Sequence, residues 1–231
     1  MVSCAFSAPS SARTMTQKSP PPASVAPSLD TRTIALVRVA MAVSRGDDHA
    51  IRERMRAARA AGVPVVWMEE LLLQSFLNVG YPLALAAFAI WRELAGPEVD
   101  GGESLLHVEH GVWSERGQQR CAEVYGRTYH KLRLNLRDLH PAVESLVIVD
   151  AYGKILGRPG LDAARRELCT LAAITMLHAP RQLHAHLRGA LNLGWSREDV
   201  DTVLVLAEQD LGAARALKVW ELWADVRERK L

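Results

Sequence analysis

The chain has few cysteines, little net charge and no long apolar run, and each shortage excludes a class of protein. Its three cysteines (Cys4, Cys121 and Cys169) are too few and too scattered for a disulfide framework or a structural zinc site. The formal net charge of +2 makes neither nucleic acid nor an anionic membrane an expected partner. The longest apolar run, Tyr81–Trp91, is well short of the roughly 18 residues of a membrane span. We therefore expect a soluble, cytoplasmic protein.

Residues 1–29 differ in composition from the rest of the chain. Five of the eleven prolines lie there among many serines and alanines, and no acidic residue precedes Asp30. Such a segment buries too little apolar surface to offset the entropy of ordering, so we expect a disordered tail. It lacks the apolar core of a secretory signal, and whether translation starts at Met1 or Met15 stays open.

From Asp30 onward the apolar periodicity is helical, which predicts an all-α protein. The predicted helix starts are Asp47 or Asp48, Pro64, Tyr81, Ser114, Asp162, Pro180, Ser196 (with Asp199 as a capping box) and Asp210. The predicted stops are Gly62, Gly80, Gly96 and Gly194. A glycine-rich stretch, residues 97–113, is predicted to link two helical units, residues 30–96 and residues 114–231.

The two units match each other at an offset of 132 residues. Identical pairs are Arg56 and Arg188, Ala58 and Ala190, Gly62 and Gly194, Leu72 and Leu204, Gly80 and Gly212, Ala84 and Ala216, Leu85 and Leu217, and Trp91 and Trp223. The predicted helix stops coincide as well as the identical residues. We therefore infer two tandem copies of one four-helix unit, roughly residues 35–95 and 167–228.

The second copy contains a candidate acid–base pair. Glu167 precedes a stretch that is apolar nearly all round, which is typical of a buried helix. His186 shares a helix face with Gly189 and Ala190, two small residues that allow close approach. Two packed helices would therefore bring Glu167 and His186 together in a dry environment, where such a pair can transfer protons. On spacing alone, a purely structural pair is the alternative.

Three segments carry a resemblance to a known family. They are Arg158-Pro159-Gly160-Leu161-Asp162, Arg166-Glu167-Leu168-Cys169-Thr170-Leu171-Ala172, and Gln182-Leu183-His184-Ala185-His186-Leu187-Arg188-Gly189-Ala190-Leu191-Asn192-Leu193-Gly194. Together they resemble the carboxymuconolactone decarboxylase family of the alkylhydroperoxidase D-like superfamily. The resemblance is dense in the second copy and faint in the first. It implies an alkylhydroperoxidase D-like helical bundle.

Thiol-containing members of that superfamily carry a Glu, eleven residues, Cys-x-x-Cys, three residues and a His. In this chain Glu167 and His186 match the Glu and the His, whereas Ala179 and Gln182 stand at the cysteine positions. Without the dithiol, a peroxidase of the usual kind lacks its resolving pair. The resemblance therefore favours the decarboxylase branch, in which that dithiol is also absent.

By resemblance, the substrate is 4-carboxymuconolactone or a related small carboxylated lactone, decarboxylated without cofactor or metal. His186 would donate the proton or stabilise the developing negative charge, and Glu167 would orient it. Candidate substrate-binding residues are Arg158, Arg166 and Arg188, as a cationic clamp for an anionic substrate, and Gln182.

The first copy has Ala35 and Arg54 at the positions of Glu167 and His186, so we interpret it as a degenerate structural half. Relatives with one copy per chain form trimers or hexamers, which implies a homo-oligomer here, a trimer of tandem chains. Two alternatives stay open. One is a thiol-dependent redox protein that uses Cys121 or Cys169, although Cys169 on an apolar helix is typical of an inert core residue. The other is a non-catalytic oligomeric member.

Overall fold

The computed structural model describes residues 29–96, 103, 105 and 108–229, and within these ranges all regular secondary structure is helical. The all-α prediction is thereby confirmed. Residues 1–28 of the predicted tail lie outside the described residues, and so do residues 97–102, 104, 106 and 107 of the predicted linker.

The helices are α1 (Thr31–Arg45), α2 (Asp48–Ala60), α3 (Val65–Ala95), α4 (His110–Tyr125), α5 (Tyr129–Leu139), α6 (Pro141–Ser145), α7 (Ala163–Leu177), α8 (Pro180–Asn192), α9 (Arg197–Glu208) and α10 (Ala213–Arg227). A 3₁₀ turn, Gly126–Thr128, joins α4 to α5, and a π-helical segment, Leu146–Leu156, follows α6 directly.

Of the ten α-helices described, five begin at a side-chain cap: α1, α2, α6, α7 and α9. The Asp47 side chain accepts hydrogen bonds from the backbone N–H groups of residues 49 and 50, and Asp162 accepts one from residue 165. Ser196 and Asp199 form the predicted capping box at α9. The prediction that Asp210 caps the last helix is wrong. Its carboxylate forms an ion pair with Arg45 instead, and α10 begins after Gly212 without a side-chain cap.

The tandem repeat is confirmed helix by helix. Helices α1 and α2 correspond to α7 and α8 at the offset of 132 residues, with the same first and last positions. Helix α3 is broken at Gly80, which has φ 69°, and its two halves correspond to α9 and α10. Even a tertiary hydrogen bond recurs. The Trp91 indole N–H donates to Glu69 in the first copy, and the Trp223 indole N–H donates to Asp201 in the second.

The two copies share one hydrophobic core, in which α1 and α7 pack against each other. Leu36 of α1 and Leu168 and Leu171 of α7 are fully buried there. The Arg165 guanidinium donates a 2.9 Å hydrogen bond to the Thr33 hydroxyl, and these two residues occupy equivalent positions of the two copies. The copies therefore form a pseudo-symmetric pair rather than two separate domains.

The π-helical segment packs tightly against α4. A Cβ atom at Gly117 would overlap the backbone carbonyl of Ile148, and one at Gly153 would overlap the carbonyl of Trp113. The two backbones therefore meet at a distance that only glycine permits. This contact positions Tyr152 of the π-helical segment beside α4 in a second, smaller core.

Helix α3 is long and apolar enough, by length and composition alone, to cross a membrane, whereas the sequence predicts two separate helices that begin at Pro64 and Tyr81. These two predicted helices are the two halves of α3, on either side of the break at Gly80. A core helix of a soluble protein meets the same criterion. Buried Glu69, Glu70 and Gln74 on this helix bind polar groups of the protein.

Candidate active site

Helices α7 and α8 bring Glu167 and His186 into contact. Glu167 Oε1 lies 2.8 Å from His186 Nδ1, and the residues are only 4% and 8% exposed. With Glu167 in its carboxylate form, which only accepts hydrogen bonds, Nδ1–H is the donor to it. Nε2 is then the ring nitrogen that can bind another molecule. The carboxylate thus selects the tautomer and the orientation of the imidazole.

Room for the Glu167 carboxylate is created by Gly189 on α8. A Cβ atom at position 189 would overlap Glu167 Oε1 and would lie 2.9 Å from Val124 Cγ1. Gly189, which the sequence predicts to allow a close approach between helices, therefore accommodates a charged group of the neighbouring helix. Any larger residue at this position would displace the carboxylate or the helix.

His186 lines a cavity of about 340 Å³ between α7, α8, α3 and the π-helical segment. Its polar wall consists of Asn78, Tyr125, Tyr152, Thr170, Gln182 and His186. Its apolar wall consists of Leu77, Val147, Ala151, Leu156, Ile174, Leu177 and Ala179. A concave, mostly apolar space with a few convergent polar groups is typical of a small-molecule site.

Tyr125 and Tyr152 are two wall residues that could line a pocket, as could Tyr129, but that nothing in the sequence singles out. Their ring centroids are 6.3 Å apart, and the Tyr125 ring stands edge-on to the His186 ring at 6.4 Å. Burial raises the pKa of both phenols, and the nearby Glu167 carboxylate raises them further. Both hydroxyls therefore stay protonated at neutral pH and can donate hydrogen bonds. No periodicity points to them, because one lies at a helix end and the other on a π-helix.

Arg158 and Arg166 do not line this cavity. Both are at most 5% exposed and bind Glu70, with Arg158 Nε 3.0 Å and Arg166 Nη2 2.7 Å from Glu70 Oε2. Arg166 also donates to the carbonyl of Leu161. Burial lowers the pKa of Arg166, and its hydrogen bond to Glu70 opposes that shift. These two predicted clamp residues instead join the second copy to α3 of the first.

The remaining predicted residues lie at different places. Gln182 is exposed at one end of α8 and lines the cavity together with His186. Arg188 is half-buried on another face of α8 and lines a separate pocket between α5 and α8. Of the three arginines predicted as a clamp, none belongs to the wall of the His186 cavity.

Cys121 and Cys169 are both buried, unpaired thiols. Burial raises the pKa of each to about 12, and for Cys121 the Glu167 carboxylate adds to the rise. Neither residue lines the His186 cavity, whereas Ala179, at one of the family's thiol positions, does. Such thiols are poor nucleophiles at neutral pH.

No group of three or more His, Cys, Asp or Glu side chains in the described ranges could hold a metal ion. The Glu167–His186 pair, the two tyrosines and the cavity therefore constitute the candidate site. In the first copy the equivalent positions hold Ala35 and Arg54, so one chain carries one such pair.

Comparison with known proteins identifies the family of the chain. The profile of the Carboxymuconolactone decarboxylase family matches residues 23–93 and 146–225, one segment for each copy. The chain is also similar to a 4-carboxymuconolactone decarboxylase of Acinetobacter baylyi (strain ATCC 33305 / BD413 / ADP1). The identity is 27% over 92 residues, which cover 39% of this chain and 69% of that protein. Because the two family segments together span well over half of the chain, this protein belongs to the Carboxymuconolactone decarboxylase family.

Proposed function

We propose that the protein is a cofactor-free decarboxylase of a small carboxylated lactone of the 4-carboxymuconolactone type. The observation that carries the proposal is the buried contact of Glu167 with His186 at the edge of a mainly apolar cavity. Family membership and the name of the Acinetobacter relative support the substrate class. The buried thiols argue against peroxide reduction as the alternative.

The reaction needs two events at carbon. The bond between the substrate and its carboxylate breaks, and its electron pair passes into the adjacent unsaturated lactone, so that CO₂ leaves and an extended enolate forms. A proton then adds to a ring carbon. In its protonated form, His186 donates that proton from Nε2, while Glu167 holds Nδ1 and stabilises the imidazolium. A proton from water restores the imidazolium for the next turnover.

The hydroxyl groups of Tyr125 and Tyr152 would donate hydrogen bonds to the oxyanion of the enolate. Tyr125 and Tyr152 line the same cavity as His186, and their raised pKa values keep their hydroxyls protonated. Hydrogen-bond donors that are already in place where charge develops contribute strongly to catalysis in a dry site. Gln182, Asn78 and Thr170 are the neutral groups that would orient the substrate.

The test is CO₂ release from freshly generated 4-carboxymuconolactone by the purified chain and its variants. We expect Glu167→Gln and His186→Ala each to lower kcat by about 10²-fold or more, the usual contribution of general acid–base catalysis. Exposed Glu198 and His130 provide matched controls, Glu198→Gln and His130→Ala, which should retain full turnover. Circular dichroism would verify that all four variants fold.

Two outcomes would contradict the proposal. Absence of CO₂ release by the unchanged protein would exclude this lactone as its substrate. Turnover that persists in both site variants would remove the acid–base role of the pair and leave Glu167 and His186 as a structural contact.

We further propose a homo-oligomer, a trimer of cytoplasmic tandem chains. Support comes from apolar side chains left exposed on α3, with Tyr81 72% and Leu85 56% exposed. Leu77 and Leu177 belong both to the cavity wall and to the exposed surface, so the cavity opens near this apolar face. Light scattering should report three chains, and Leu85→Glu should lower the mass toward one chain. A monomeric unchanged protein would contradict this.

A further inference from the structure

A second pocket lies between α5 and α8, beside the end of α4. Its volume is about 280 Å³, near the lower end of the ~300–1,000 Å³ range of small-molecule sites. We refer to it as the α5–α8 pocket. Its wall consists of Val124, Tyr125, Thr128, Lys131, Leu132, Asn135, His184, Ala185, Arg188 and Asn192. Tyr125 is the one residue that it shares with the His186 cavity.

The charge of this pocket is positive. Lys131 and Arg188 are among its wall residues, and the wall contains no aspartate or glutamate. Within the described part of the chain, neither cation has a carboxylate partner. By contrast, Arg133 and Arg137, on the same helix as Lys131, both bind Glu144. The two pocket cations are therefore available to an external anion.

The polar groups converge from two helices. Lys131 and Asn135 stand one turn apart on α5, and His184, Arg188 and Asn192 stand at successive turns of α8. The Asn192 amide donates a 2.7 Å hydrogen bond to the carbonyl of Val124, which ties α8 to the end of α4. The polar side chains of the pocket wall are therefore positioned by two helices.

We propose that the α5–α8 pocket binds a short-chain dicarboxylate. Two cations from two different helices, Lys131 on α5 and Arg188 on α8, match two carboxylates, since an arginine fork and a lysine ammonium both bind such groups. Val124, Leu132 and Ala185 supply apolar surface for the carbon chain between them. The α5–α8 pocket is a site separate from the His186 cavity, because the two walls share only Tyr125. The proposal therefore does not depend on the decarboxylase assignment.

Adipate is the probe, and isothermal titration calorimetry of the full chain is the measurement. We expect saturable binding that Lys131→Gln and Arg188→Gln each weaken by about tenfold, with the double variant weaker still. Both side chains are at least partly exposed, so these variants should fold. Arg181→Gln removes an exposed charge from the same helix outside the pocket and should leave the affinity unchanged. His186→Ala should also leave it unchanged.

Each contrary outcome overturns the proposal. No saturable adipate binding would exclude the ligand class, and saturable binding of inorganic phosphate without adipate would assign the pocket to phosphates. Adipate binding that survives in the double variant would place the anion elsewhere. Loss of adipate binding in His186→Ala, with the fold intact, would show that adipate occupies the His186 cavity instead.

Discussion

Gly189 lies directly against the carboxylate of Glu167, on the neighbouring helix, where no side chain could stand. The relationship explains how a charged residue reaches His186 inside a close-packed core. A helix-weakening glycine in the interior of α8 is compensated by the contact that it permits.

Gly189→Ala should therefore destabilise the protein, although alanine favours helices. We expect the added methyl group to displace the Glu167 carboxylate and to cost about 1–3 kcal/mol of unfolding free energy, as overpacking does. Urea denaturation measures the cost. The control is Gly111→Ala in α4, where nothing lies within 4 Å of an added Cβ atom and stability should change by less than about 1 kcal/mol. A Gly189→Ala protein more stable than the unchanged one would contradict the close contact.

Glu70→Gln should be among the most destabilising changes at a polar position. It leaves the guanidinium groups of Arg158 and Arg166 buried without a counter-charge, which costs about 3–5 kcal/mol of unfolding free energy. Glu93→Gln is the matched control, because Glu93 pairs with Arg52 at the surface with 60% of its side chain exposed. Its cost should stay below about 1 kcal/mol. Similar denaturation midpoints for the two variants would count against an inter-copy clamp.

Removing one phenol hydroxyl from the cavity should slow the reaction without unfolding the protein. Tyr152→Phe is expected to lower kcat for decarboxylation by about 100-fold, the typical effect of losing one oxyanion donor. Because burial raises the pKa of Tyr152 and Tyr125, kcat should show no loss from phenol ionisation between pH 8 and about 10. Tyr129→Phe, outside the cavity wall, should retain full activity. Equal rates for both variants would remove Tyr152 from the mechanism.

The buried thiols should resist alkylation in the native protein. With a pKa of about 12 in place of 9.0, the thiolate fraction of Cys121 and of Cys169 at pH 8 is about 1,000-fold lower than usual. The labelling rate should rise with pH, because deprotonation creates the nucleophile. Iodoacetamide labelling followed by mass spectrometry, in a Cys4→Ser background, tests this. Unfolding in guanidinium should expose both thiols. Rapid labelling of Cys121 or Cys169 in the folded protein at pH 8 would contradict this prediction and would favour the thiol-dependent alternative.

Local signals predicted much of the fold. Asp47, Asp162 and the Ser196–Asp199 box cap helices through hydrogen bonds that reach two or three residues along the chain, so sequence alone contains them. Asp210 has the same local signal, yet a distant cation, Arg45, binds it. Asp210 therefore forms an ion pair with Arg45 of the first copy and does not cap the helix that follows it.

The candidate site was predictable only in part. The helical faces of Glu167 and His186 can be deduced from periodicity, and the resemblance to the family points to the same residues. The partner of Arg158 and Arg166 could not be deduced, because Glu70 lies 88 and 96 residues earlier in the chain. Without that partner, the two arginines resemble a free cationic clamp.

The sequence by itself determined the helices, the tandem repeat and the family, because capping, periodicity and internal similarity are properties of neighbouring or equivalent residues. Only the tertiary structure decided which polar groups meet. It placed Tyr125 and Tyr152 beside His186, bound two arginines to Glu70, and left Lys131 and Arg188 facing a separate pocket. The physical reason is that burial and charge pairing depend on the distances between side chains of different helices, which no single segment specifies.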